Sequence, residues 1–164
     1  MNTLHRRKFL QLGLLSSAIF VMQGCELKGI TTMRSTIELL QRDLFEKSHT
    51  LNIKTTHYFY NSVLGHSRIS QEEKKFLKNG VSWLNEAAQE QYKLLYVKLP
   101  RHHREHVLQT ISQSQWGEEW LSKMLGYILE ATLSDPIYLG NTNENGWKWL
   151  EFQGGVPHPK EPYL

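Results

Sequence analysis

The sequence predicts an all-α fold, on three observations. Between residues 31 and 133 apolar side chains recur three and four positions apart, the period of a helix packed on one side. No segment alternates apolar and polar residues at period two. Start and stop signals also fall where helices require them, at Ser70-Gln71-Glu72-Glu73 and at Ser134-Asp135-Pro136. The expected architecture is a small irregular domain of about five helices over residues 25–164, closed by a non-helical, Gly/Trp-rich C-terminal extension.

Taken in order, Thr31 to Ser48 reads as an amphipathic helix with Met33, Ile37, Leu40 and Leu44 inward. Leu51 to His66 is less regular, with Tyr58, Phe59, Val63 and Leu64 on one side of a short helix. The capping box at Ser70 opens a helix from Gln71 to Tyr92, facing inward through Phe76, Leu77, Val81, Leu84 and Ala88. Gly80 inside it costs about 1 kcal/mol relative to alanine and marks a point of close packing. Pro100 suits the start of a helix over Arg101 to Ser112, with Val107, Leu108 and Ile111 inward. The last helix begins near Gln115 and carries a wide apolar stripe: Trp116, Trp120, Leu121, Met124, Leu125, Ile128 and Leu129. It is expected to be the most deeply buried, with Trp116 and Trp120 in the core.

At 164 residues the chain has the size of one domain. The net charge of +3 is local: without Arg6, Arg7 and Lys8, 16 of the 19 basic side chains face 16 acidic ones. A neutral body offers no basic face for nucleic acid. Cys25 is the single cysteine, which excludes an internal disulfide and a four-cysteine metal site.

Arg6-Arg7-Lys8-Phe9-Leu10 followed by an apolar run resembles the twin-arginine export signal, with Arg6, Arg7, Phe9 and Leu10 on the motif and His5 and Gln11 off it. The run from Leu10 to Met22 is 13 residues, short of the roughly 20 that span a bilayer. Residues 1–24 are therefore expected to be an export signal. Met22-Gln23-Gly24-Cys25 resembles a lipobox, which implies lipidation of Cys25 and a peripheral membrane anchor. The twin-arginine route resembles one that carries folded, cofactor-loaded proteins, so a chain without cofactor motifs suggests a larger passenger.

Catalytic patterns are absent. The chain holds no G-x-S-x-G, no G-x-G-x-x-G and no phosphate-binding loop. His102 and His106 are four apart and could share an ion with His103 or Glu105 nearby, but Arg101 and Arg104 oppose a cation. A solvated basic helix start is the better reading. No catalytic, cofactor-binding or metal-binding residue is assigned.

There remains Asp135 to Pro159. Glycines and prolines here surround Trp147, Trp149 and Phe152, too much aromatic surface for a free tail. An ordered loop that docks on a partner is expected, since aromatics are favoured interface anchors. Asp135-Pro136-x-Tyr138-x-Gly140-Asn141, then Gly146-Trp147-Lys148, resembles the D-P-x-Y-G-G-N…G-W-K signature of the gluconate 2-dehydrogenase subunit 3 family. The resemblance runs over residues 35–157 and is strongest over 120–155.

That resemblance implies a mostly helical, exported, non-catalytic small subunit of a membrane-associated sugar or sugar-acid dehydrogenase. Its partners would be an FAD-bearing large subunit of the glucose–methanol–choline type and, in some complexes, a multi-haem cytochrome c. Its export signal would pass the folded flavoprotein through the twin-arginine translocase. Leu139 stands where the family has a glycine, which implies ordinary backbone angles at that turn, and Trp149-Leu150-Glu151 is an unusual lead into the final turn. The rival reading is a free-standing periplasmic helical lipoprotein with a binding or structural role.

Overall fold

The computed structural model describes residues 33–163, and the chain from Ser35 onward forms one compact unit. Arg6, Arg7, Phe9, Leu10 and Cys25, which carry the export and lipidation expectations, lie outside the described residues. The described chain is all-α, with seven helices and no strand. They are α1 (33–44), α2 (Glu46–Thr50), α3 (Thr55–Tyr58), α4 (Gln71–Tyr92), α5 (Arg101–Ser112), α6 (Gln115–Leu133) and α7 (Asn145–Trp149). No described helix is long and apolar enough to cross a membrane.

The first two expected helices are interrupted. Residues expected to continue one helix through Ser48 break at Phe45, where φ is −149°. The Ser48 hydroxyl donates to the Phe45 carbonyl at 2.7 Å, a local bond that competes with the helical ladder. After α3 the chain widens into a π-turn over Phe59–Val63, closed by Leu64 N–H on the Phe59 carbonyl at 2.9 Å. The extra residue in the turn lets Phe59, Ser62 and Val63 all face the core.

The long helices follow their caps. Ser70 accepts from the Glu73 N–H at 3.1 Å and opens α4; Ser114 accepts from Gly117 N–H at 3.2 Å and opens α6. Leu77, Val81, Leu84 and Ala88 of α4 and Trp120, Met124, Ile128 and Ala131 of α6 are all buried, and the two helices touch. Trp120 Nε1–H donates to the Leu77 carbonyl at 3.1 Å, which satisfies the one polar atom of a fully buried ring. Gly80 is the packing point: a Cβ there would collide with the Trp120 indole. At the outer end of the same crossing, Glu73 accepts from Tyr127 at 2.9 Å and Lys123 at 3.2 Å. The Tyr127 hydrogen bond, followed by the lysine, holds its carboxyl below the ordinary value against the opposing effect of burial.

Two expectations about polarity are corrected. Arg104 is not part of a solvated basic start. It forms a two-pronged pair with Asp43 of α1 at 2.6 and 2.8 Å, with side chains 11% and 6% exposed. Tyr96, fully buried, donates to the same carboxylate at 2.7 Å, and Arg104 also reaches the Leu99 carbonyl at 2.8 Å. Every charge in this pocket is thereby met, the condition under which burying an ion pair is tolerated. Burial first, then the Asp43 hydrogen bond, pushes the Tyr96 hydroxyl far above its ordinary value.

The stripe on α6 is also narrower than expected. Trp120, Met124 and Ile128 are inside, but Leu125, Leu129 and Leu133 are 36%, 39% and 41% exposed. At about 100° per residue these leucines lie roughly 140–220° around the helix from Trp120, on its far side. The helix is apolar on two faces, and the chain covers one.

Gly80 and Gly126 make a matched test of this packing. Gly126 has nothing within 4 Å of where a Cβ would stand. By propensity alone, alanine at either position should add about 1 kcal/mol. We expect Gly126→Ala to do so, and Gly80→Ala to lose about 1–3 kcal/mol from the Trp120 collision, in urea denaturation of the purified protein.

Candidate functional site

The signature residues gather at the carboxyl end of α6. A helix leaves its last carbonyls without internal partners, and here those are Ala131, Thr132 and Leu133, followed by Ser134. The loop after α6 returns over all four. Trp147 Nε1–H donates to the Leu133 carbonyl at 2.6 Å, and Asn141 Nδ2–H donates to the Ser134 carbonyl at 3.3 Å. Gly140 lies on Ala131 and Gly146 on Thr132, each so close that a Cβ would strike the carbonyl oxygen. The glycines are required by backbone laid on backbone.

Asn141 joins both sides of the loop. It is fully buried, and its Oδ1 accepts from Gly146 N–H at 2.8 Å. It thus caps α7, whose preceding residue, Glu144, offers no side-chain cap and sits at φ 55°. The loop is tied outward as well. Gly140 carbonyl accepts from Lys54 N–H at 2.9 Å, Tyr138 carbonyl from Ser62 Oγ at 3.0 Å, and Leu51 carbonyl from Asn145 Nδ2 at 2.8 Å.

Asp135 opens the stretch as the cap of a 3₁₀ turn, Pro136–Tyr138, accepting from Ile137 N–H at 3.0 Å. Its second oxygen meets His158 Nδ1 at 2.9 Å. Burial pushes this carboxyl up, but the His158 hydrogen bond, the Ile137 N–H and the histidine charge outweigh it, and it sits below its ordinary value. His158 in turn stacks on Trp147, with ring centroids 5.9 Å apart and planes at 16°. Phe152 meets the same indole edge-on at 5.8 Å, and Gly154 leaves room for it.

Several expectations change in detail. The extension is not wholly non-helical, because Asn145–Trp149 forms α7 and Gly146 lies inside that helix. Leu139 does not use ordinary angles: at φ 66° and ψ 7° it occupies the left-handed region of the family's glycine, at a steric cost. Trp147 is only 7% exposed, so its ring is spent within its own chain. Lys148 points outward, to the Asn143 carbonyl at 2.7 Å.

The surface around the motif is apolar. Leu139, Trp149, Leu150 and Phe152 are exposed, and Trp149 lies 6.1 Å from Phe45 with Lys47 over its ring. Between α3 and α6, Tyr58, Gly126, Leu129, Glu130, Leu133 and Ser134 line a shallow recess. Of the far-side leucines of α6, Leu125 and Leu129 were read as part of the inward stripe and Leu133 was not singled out; a stripe too wide for one buried face is the signal that separates them.

The histidines of α5 serve local packing. His103 stacks on Tyr92 at 4.0 Å, and His106 Nδ1 lies 2.9 Å from the Tyr92 hydroxyl and 3.0 Å from Gln91 Oε1. No group of three metal-ligating side chains occurs among the described residues.

The sequence model of the gluconate 2-dehydrogenase subunit 3 family matches residues 39–155. The chain belongs to this family. It is thus an accessory subunit of a dehydrogenase, associated with a gluconate dehydrogenase complex. No curated protein and no solved structure matches it. In this subunit 3 the matched span runs from within α1 to Gly155 and contains the whole arrangement on the α6 terminus.

The depressed Asp135 acid gives a pH test. A carboxyl lowered in the folded state stabilises above its unfolded value, near 3.9, and that contribution is lost as pH falls through the folded value. The stability difference between wild type and Asp135→Asn should therefore be full at pH 6 and shrink below about pH 4. Thermal melts across that range check it.

Proposed function

We propose that this chain is the non-catalytic small subunit that escorts and stabilises an FAD-dependent dehydrogenase of the glucose–methanol–choline type. The observation that carries the reading is the use made of the signature. The polar atoms of its Asn141 and Trp147 are consumed in capping α6 and α7, while apolar residues flanking it stay exposed. Such a surface suits a protein partner. The motif therefore acts by building and bracing a docking surface, with Trp147 as its internal pillar.

Export follows from the N-terminus. Arg6, Arg7, Phe9 and Leu10 address the chain to the twin-arginine translocase, which carries the flavoprotein with its FAD in place. Cys25 receives lipid and holds the pair at the periplasmic side of a membrane, where a multi-haem cytochrome c accepts the electrons. Substrate specificity belongs to the large subunit.

Arg6→Lys with Arg7→Lys tests this directly. Flavin-linked dehydrogenase activity should disappear from the periplasm and accumulate in the cytoplasm. Unchanged periplasmic activity would favour the free-standing lipoprotein instead.

A further inference from the structure

We infer that the far side of α6, formed by Leu125, Gly126, Leu129 and Leu133, seats an amphipathic helix of the flavoprotein subunit, which offers a lysine or arginine to Glu130. This deepens the proposed function and rests on it.

Geometry argues for a helix as the occupant. Leu125, Leu129 and Leu133 repeat every four residues, giving a straight ridge about 12 Å long at 1.5 Å per residue. Ridges of this spacing interlock with the groove of a second helix. Gly126 stands beside the ridge with open space where a Cβ would be, a notch that lets another backbone approach. The described chain leaves the ridge exposed, although its opposite face is completely packed.

Charge argues for the chemistry of that helix. Glu130 is the acid of the recess; the residue is exposed at the rim, and its described partner is the neutral Tyr58 hydroxyl at a long 3.3 Å. Among the described residues no salt bridge reaches it. Burial holds its carboxyl above the ordinary range, against the Tyr58 hydrogen bond, and burial followed by the Glu130 charge pushes Tyr58 up to about 12. A cation from outside would reverse that penalty. Beside it Ser134 Oγ is buried with no hydrogen-bond partner. In a second copy meeting this face α6 to α6, the lysine of that helix, Lys123, is already engaged by Glu73.

The test uses tagged full-length subunit co-expressed with the flavoprotein subunit, reading FAD absorbance in the eluate. Gly126→Leu fills the notch, where space is open, and its thermal midpoint should match or exceed wild type; Leu129→Glu places a charge on the part-exposed ridge, and its thermal midpoint is measured alongside so that any loss of fold is seen. Each variant should lower bound flavin about tenfold or more, while Leu94→Glu, on exposed surface elsewhere, should not. Full flavin recovery with both variants overturns the surface and leaves the proposed function standing. Variants that change only self-association, measured by sedimentation, overturn the flavoprotein as occupant. A wild-type subunit that recovers no flavin overturns the functional reading and this inference with it.

Discussion

The structure depends on what happens to four carbonyls at the end of α6. A helix terminus that lies against protein rather than water must find donors or be shielded by close packing. This chain does both, with two side-chain donors, from Trp147 and Asn141, and two glycines laid on the remaining carbonyls. The family signature, seen this way, is the description of a cap. Aspartate and proline turn the chain, glycines permit backbone contact, and asparagine and tryptophan donate. Because the same loop is tied to α2, α3 and the π-turn, the cap also fixes α6 against the first third of the domain.

A second constraint sits at the opposite part of the core. The Asp43–Arg104 pair with Tyr96 closes α1 on α5, and the indole of Trp120 closes α4 on α6 over Gly80. Both are polar connections inside apolar packing, and both are fully met. With α6 held at its end and along one side, its other side is free to be a surface. Rigid presentation matters for docking, since a partner then loses less entropy in ordering what it binds.

Much of this was legible in the sequence. The capping box at Ser70 placed α4, and the apolar stripe with the Asp135-Pro136 stop placed α6; Gly80 was recognisable as a close approach because nothing else justifies glycine in mid-helix. The signature pointed to the right family. What it could not yield was direction: an indole that reads as an interface anchor turned inward, because an unsatisfied carbonyl lay within its reach. Arg104 was misread for a similar reason. Its partner, Asp43, is 61 positions away, and sequence spacing carries no trace of such a pair. Leu139 shows the converse, where a residue ill suited to a left-handed turn adopts it because the bonds on either side leave no alternative.

Trp147 belongs to the interior, and the α6 leucines are proposed to meet the partner. Hydroxyl-radical footprinting of the subunit, free and bound to the flavoprotein, separates the two roles most directly. Leu125, Leu129 and Leu133 should lose reactivity on binding, while Trp147 stays weakly labelled in both states. Strong labelling of Trp147 in the free subunit that vanishes in the complex, with the leucines unchanged, would contradict both roles.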